Sequence, residues 1–308
     1  MLGPVLLAAA GSDHVRRLVA GTPLTRPVVD RFVAGEELAD ALHTTDGLLD
    51  QGLTVTLDRL GESVTDPAQA TRNRDGYLTL VDELAAAGIA ERAELSVKLS
   101  AFGQALPDGH DIAHRNVARV VAAASAAGTA VTLDMEDHRT VDSTLAVHRA
   151  LRADHPETGA VLQSYLFRSE EDCRALAAAG ARVRLVKGAY REPAEVAFQR
   201  RAEVDLAYVR CLRLLMDGDG YPMVGSHDPR LIAIAEELAK RAGRAADDYE
   251  FQMLFGIRDA EQRRLAARGH RVRVYVPYGT DWYGYFMRRL AERPANLTFF
   301  ARSLVTRG

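Results

Sequence analysis

Cysteine is almost missing: Cys173 and Cys211 are the only two in 308 residues, too few for a disulfide framework or a thiolate metal cluster. An excess of one charge is missing too. Lysine plus arginine number 39 against 42 aspartate plus glutamate, a formal net charge of −3. That balance gives no electrostatic footprint for a polyanion, so no nucleic-acid partner is expected. No apolar run reaches the roughly 18 residues a membrane-spanning helix needs. His110, His114 and His138 stand without HExxH or Cys/His partners at ligand spacing, so no metal is expected. A carboxylate-only magnesium site at Asp134 and Glu136 would require its strand to run on through both. No GxGxxG follows an early strand, which weakens a dinucleotide-binding open sheet. Lysine itself is scarce, with Lys98, Lys187 and Lys240 the only three among the 39 basic residues. Lys240 sits in a charged helix end, whereas Lys98 and Lys187 close apolar runs.

The opening MLGPVLLAAAG imitates a secretory apolar stretch, but no basic residue precedes it and Asp13 to Arg17 follow at once. It reads instead as an apolar helical arm capped by Ser12 or Asp13.

Beyond it, eight runs have strand character. They are Leu53–Asp58, Glu94–Leu99, Ala130–Met135, Ala160–Tyr165, Val183–Gly188, Pro222–Ser226, Glu250–Leu254 and Val272–Val276. Between them lie segments of helical period, such as Gly76–Ala87, His114–Ala127, Glu195–Met216 and Pro229–Ala242. Gly88, Gly128, Gly180, Gly243 and Gly269 stand where a left-handed residue would stop a helix. Strand then helix, eight times over, predicts an α/β fold of the (β/α)8 TIM-barrel type, with a doubly wound sheet as the competitor. Residues 1–51 would form an N-terminal helical arm, clearest over Glu36–Asp50, and residues 52–308 the barrel.

Such a barrel places its chemistry at the carboxyl ends of its strands. The polar groups there are Asp58, Lys98, Asp134 with Glu136, Gln163, Arg184 with Lys187, Ser226, His227, Gln252 and Tyr275. Singly each has a plain structural reading: Asp58 could pair with Arg59, and Gln163 or Gln252 could cap a barrel layer. Together they crowd one rim, where cations suggest an anionic ligand. The last segment, YGTDWYGYFMRRLAERPANL, reads as a helix entered at Thr280 or Asp281. Helical spacing puts Tyr285, Arg288 or Arg289, and Glu292 on one face. Roofing the barrel mouth, that face would aim guanidinium groups at the ligand; on solvent, Glu292 would merely pair with them.

The motifs SVKLSAFG, LDMED, VLQSY, RLVKGAY, GSHD, FQMLFG, VRVYVPYGTDWY and RRLAERPAN, in this order and each at its strand end, resemble the monofunctional bacterial proline dehydrogenases. The likeness runs from about residue 53 to 297. It implies a flavin across the carboxyl rim and a last helix covering the substrate. It further implies oxidation of L-proline to 1-pyrroline-5-carboxylate, with hydride passing to FAD. Electrons would then go to a quinone from a cytoplasmic protein touching the inner membrane face. By motif, Asp134, Arg184 and Tyr275 would be the activity-critical residues, and Lys98, Arg288, Arg289 and Glu292 the substrate site. Met135, Gln163, Arg184, Lys187, Gly188, Ala189, Ser226, His227 and Gln252 would hold FAD. From the residues alone two other readings stay open: an aldolase-type barrel with Lys187 as Schiff-base nucleophile, and a non-catalytic barrel binding an anionic metabolite.

Overall fold

A computed structural model describes residues 26–61 and 64–292. The proposed apolar arm with its Ser12 or Asp13 cap falls outside them. A short helix, α1 (Arg26–Val29), and a longer one, α2 (Leu38–Leu49), precede the barrel. Eight parallel strands then close on themselves in sequence order. These are β1 (Thr54–Arg59), β2 (Ala93–Val97), β3 (Val131–Leu133), β4 (Gly159–Gln163), β5 (Arg182–Val186), β6 (Tyr221–Gly225), β7 (Glu250–Leu254) and β8 (Val272–Tyr278). The helices that follow them are α3 (Pro67–Ala86), α4 (Gly109–Ala126), α5 (Val141–Arg152), α6 (Ser169–Ala178), α7 (Arg201–Asp217), α8 (Pro229–Arg241), α9 (Asp259–Ala267) and α10 (Trp282–Glu292). The doubly wound alternative is thereby excluded.

All five expected stop glycines have positive φ, between 64° and 87°, a conformation open to glycine without a Cβ clash. Helix α3 begins nine residues before the expected Gly76, because Asp66 caps it, its side chain accepting from Gln69 N at 2.9 Å, with Pro67 in the first turn. Helix α7 begins at Arg201 rather than Glu195, after an irregular stretch that pairs Ala197 with Leu166.

Alternation along the strands sends aliphatic residues such as Val55, Leu57, Leu95, Val97, Val183 and Leu185 outward, where they are buried against the helices. The opposite parity fills the lumen with Thr56, Glu94, Ser96, Thr132, Arg184, Gln252 and Arg273, all nearly buried. Polar residues inside and apolar ones outside reverse the ordinary antiparallel pattern, since the helical coat supplies the apolar core.

A second apolar cluster sits at the barrel mouth. Val28, Val29, Phe32 and Val33 pack there with Trp282, Tyr285, Phe286 and Met287 of α10, against Leu254 and Tyr275. Trp282 Nε1 donates to Glu36 at 3.0 Å. Residues 26–36 thus brace the last helix over the rim.

Candidate active site

The strand ends and α10 enclose one cleft of about 910 Å³, at the large end of ligand-binding pockets. Lys98, Asp134, Arg184, Tyr275, Arg288 and Arg289 all line it, although Lys98 and Asp134 stand just past β2 and β3, and the others on β5, β8 and α10. Met135, Gln163, Lys187, Gly188, Ala189, Ser226, His227 and Gln252 line it too. Glu292 ends α10, and its side chain lies outside the described residues.

The centre of the cleft is one hydrogen-bonded chain. Lys98 Nζ donates to Asp58 Oδ2 at 2.7 Å and lies 3.6 Å from Asp134 Oδ2. The Tyr275 hydroxyl is 2.7 Å from Asp58 Oδ2 and 2.8 Å from Asp134 Oδ2, so two carboxylates share its one proton. Arg184 Nη1 donates to Asp134 Oδ1 at 2.7 Å and to Ser96 Oγ at 2.8 Å. Its Nε donates to Gln252 Oε1, whose amide in turn donates to Glu250. The guanidinium also stands 5.4 Å from the Tyr275 ring centroid. Burial pushes Asp58 above the usual carboxylate range; Lys98 opposes that rise and Asp134 adds to it. Burial, then Asp134 and Asp58, push Tyr275 well above an ordinary phenol, so it enters the site as the neutral hydroxyl.

On α10, Arg289 is buried, its guanidinium 4.9 Å from the Tyr285 ring centroid, and Arg288 faces the same cleft. The helix therefore roofs the mouth with both arginines. A ligand carboxylate between them would meet two planar forks.

Around the rim several expectations change, that for Lys187 most. Lys187 falls on the strand parity opposite to Arg184, so the two do not act side by side. Its Nζ donates to Asp205 at 2.5 Å and lies 3.3 Å from Asp228, an ammonium paired twice rather than the neutral amine a Schiff base requires. Gly188 has φ +114°, and a Cβ there would strike the Tyr165 ring, so its glycine is explained within the protein. Asp58 bonds Lys98 and Tyr275 rather than Arg59. Strand β3 stops at Leu133, and Glu136 turns away to accept from Ser100 N and Oγ, at 3.1 and 2.6 Å. His227 Nε2 accepts from Leu254 N at 2.9 Å, which leaves the proton on Nδ1.

Sequence reasoning overlooked Ser96, which shares the inward parity of Lys98 two residues away. Tyr285, expected on the roofing face of the last helix, does line the cleft, whereas Arg201 and Arg258 at the rim were overlooked, since no local pattern gives a signal for them.

Comparison with known proteins bears on the family and the fold. The family model for proline dehydrogenase matches residues 41–302. The chain is 42% identical to proline dehydrogenase of Deinococcus radiodurans over 283 residues, 90% of each chain. It is 37% identical to proline dehydrogenase 1 of Bacillus subtilis, over 91% of this chain and 92% of that one. Among solved structures, proline utilization A from Bdellovibrio bacteriovorus superposes with a TM-score of 0.82 at 26% identity. That match covers 97% of this chain and 37% of the larger protein.

Proposed function

The chain belongs to the proline dehydrogenase family, and from that premise we propose that the cleft holds L-proline beneath α10, beside FAD, and that oxidation at the ring C–N bond yields 1-pyrroline-5-carboxylate. The observation that carries this reading is the convergence of Lys98, Asp134, Arg184, Tyr275, Arg288 and Arg289 on one cleft.

Arg288 and Arg289 grip the substrate carboxylate, Lys98 adds a third donor, and the Tyr275 ring packs on the pyrrolidine. Oxidation requires the amine neutral, whereas proline arrives as a zwitterion. Around this end stand four cations, Lys98, Arg184, Arg288 and Arg289, against the carboxylates of Asp58 and Asp134. The excess positive charge disfavours the ammonium form and lowers the amine's pKa. Tyr275, its proton shared between Asp58 and Asp134 and its pKa raised, stays a neutral hydroxyl against the ring. Asp134 and Gln252 hold Arg184 from two sides, fixing a positive charge that favours electron density arriving beside it.

FAD, when bound, supplies the two-electron acceptor. The residues fit it: the Gln163 carboxamide oxygen is buried in the cleft wall with no hydrogen-bond donor among the described residues, an acceptor suited to a ring N–H. Met135 through its backbone, Gln163, Lys187–Ala189, Ser226, His227 and Gln252 would hold the cofactor. A quinone takes the electrons onward at a peripheral contact with the inner membrane face. Among the described residues no helix is long and apolar enough to cross a membrane.

The purified protein should be yellow, and anaerobic L-proline should bleach it; a colourless protein that cannot be reconstituted, or a colour indifferent to proline, defeats the reading. Replacing Arg288 and Arg289 together by Met should raise KM for proline by about 10²–10⁴-fold, two charge-assisted contacts' worth, with flavin retained. Unchanged proline kinetics would remove the carboxylate grip.

A further inference from the structure

Two residues other than glycine have positive φ among the described residues, Asp108 at 57° and Arg258 at 58°, whereas eleven such positions are glycine. Aspartate tolerates the left-handed region; arginine clashes there through its Cβ. Arg258 lies between β7 and α9, where glycine would fit the backbone without strain. A strained side chain kept at the lip of a cleft points to a use for that side chain.

Its surroundings say what the use is. Arg258 lines the cleft beside Ser226 and His227, and its Nη1 donates to the His227 carbonyl at 2.7 Å. That is its single side-chain hydrogen bond among the described residues. Glu261 forms a long ion pair with Nη2 at 3.7 Å, but Arg264 holds the same carboxylate more closely, at 2.7 Å. The neighbouring cations are already compensated: Lys187 lies between Asp205 and Asp228, and Arg230 donates to the same two carboxylates at 2.9 and 2.7 Å. A ligand bearing a doubly charged pyrophosphate finds at this end cations paired at short range, whereas Arg258 shares Glu261 with the closer Arg264 and the exposed Arg201 lies across the rim.

We propose that Arg258 is a binding residue for the pyrophosphate of the dinucleotide cofactor, its left-handed backbone fixed so that the guanidinium braces His227 and faces the phosphates. This rests on the flavin reading above, and the test separates the two. The apoprotein, as wild type, Arg258→Gly and Arg258→Met, is titrated with FAD and with ADP, which carries the pyrophosphate without the ring, and each apoprotein is melted. Arg258→Gly removes both strain and charge; Arg258→Met keeps the strain. Expected are a melting temperature raised by about 1–3 °C in Arg258→Gly and Kd values for FAD and ADP weakened roughly tenfold or more in both variants. Wild-type affinity for FAD and ADP in either folded variant overturns the proposal. A wild-type apoprotein that takes up no FAD sinks the flavin reading and this one with it. Should Arg258→Gly fail to fold, Arg258→Met alone decides.

Discussion

The barrel lumen carries two charged layers one strand repeat apart, and they differ in what they leave open. In the lower, Arg273 grips Glu250 through Nε at 2.7 Å and Nη2 at 3.1 Å, and Arg182 donates to Glu94 at 2.8 Å. Burial alone would raise the Glu94 carboxyl, but Arg182, Arg273 and Arg184 outweigh it and hold it down at about 2. In the upper, Lys98, Asp58, Tyr275, Asp134 and Arg184 form a similar network that opens on the cleft beneath α10. The lower layer spends its charge within the lumen, on its own members and on Arg184 and Gln252 above, so it fixes the barrel's interior; the upper keeps donors aimed at a ligand. Both look alike in sequence. Only the direction in which each network is left incomplete separates structure from chemistry.

The sharpest way to break this contrast is to cut the lower layer. Arg273→Met strands Glu250, which should cost about 3–5 kcal/mol of stability, while kcat of the folded fraction changes by no more than about twofold. Arg273→Met with Glu250→Leu should recover much of the loss, since the unpaired ion is gone. Thermal melts beside steady-state kinetics decide it, and a collapse in kcat with an unchanged melt would erase the distinction. Next in size, Arg184→Met in the upper layer should lower kcat by about 10²–10³-fold, as removal of a charge-stabilising donor does, with a smaller loss of stability than Arg273→Met, because Asp134 keeps Tyr275 and Lys98 as partners.

The third concerns pH. Burial lowers His148 on α5 from the ordinary 6.5 to about 4, against a bond from its ring Nε2–H to the Thr158 carbonyl. Between those values the unfolded chain binds the proton and the folded one does not, so stability falls as pH drops from about 6.5 to about 4. The loss is roughly 3 kcal/mol by the linkage relation. Glu94, lowered in the fold, adds a loss of the same sign below about 4.5. Urea midpoints across this range should be flatter above pH 4.5 in His148→Gln; an unaltered slope there assigns the acid lability elsewhere. Smallest is Tyr275→Phe, which removes one shared hydroxyl from the upper layer and should lower kcat/KM about three- to tenfold. It should also move the pH profile, because Asp58 and Asp134 then face each other without the bridging proton. An identical profile would mean that the bridge has no part in turnover.

How much of this was legible depends on the kind of signal. The strands, the stop glycines and the roof helix rest on local pattern, and Val272–Val276 or Pro229–Ala242 needed nothing more than period and caps. The rim set of Lys98, Asp134, Arg184 and Tyr275 could be picked out because each lies in or closes a strand-like run. Asp58 could not be ranked, since its partners Lys98 and Tyr275 lie 40 and 217 residues away. Arg258 was invisible because nothing local announces a left-handed arginine. The carboxylates Glu94 and Glu250 only open their expected strands in the sequence and carry no assigned role there, yet they are buried in the lumen.

The chain's own order of residues determined the eightfold alternation, the helix stops and the family, because these depend on spacings that survive without knowing any distant neighbour. Closure of the sheet decided the rest. Bringing β8 against β1 turned one face of every strand toward a single axis. Charges far apart in the chain became partners there, and the pairs they formed, or left open to the cleft, set which of them can act on a ligand.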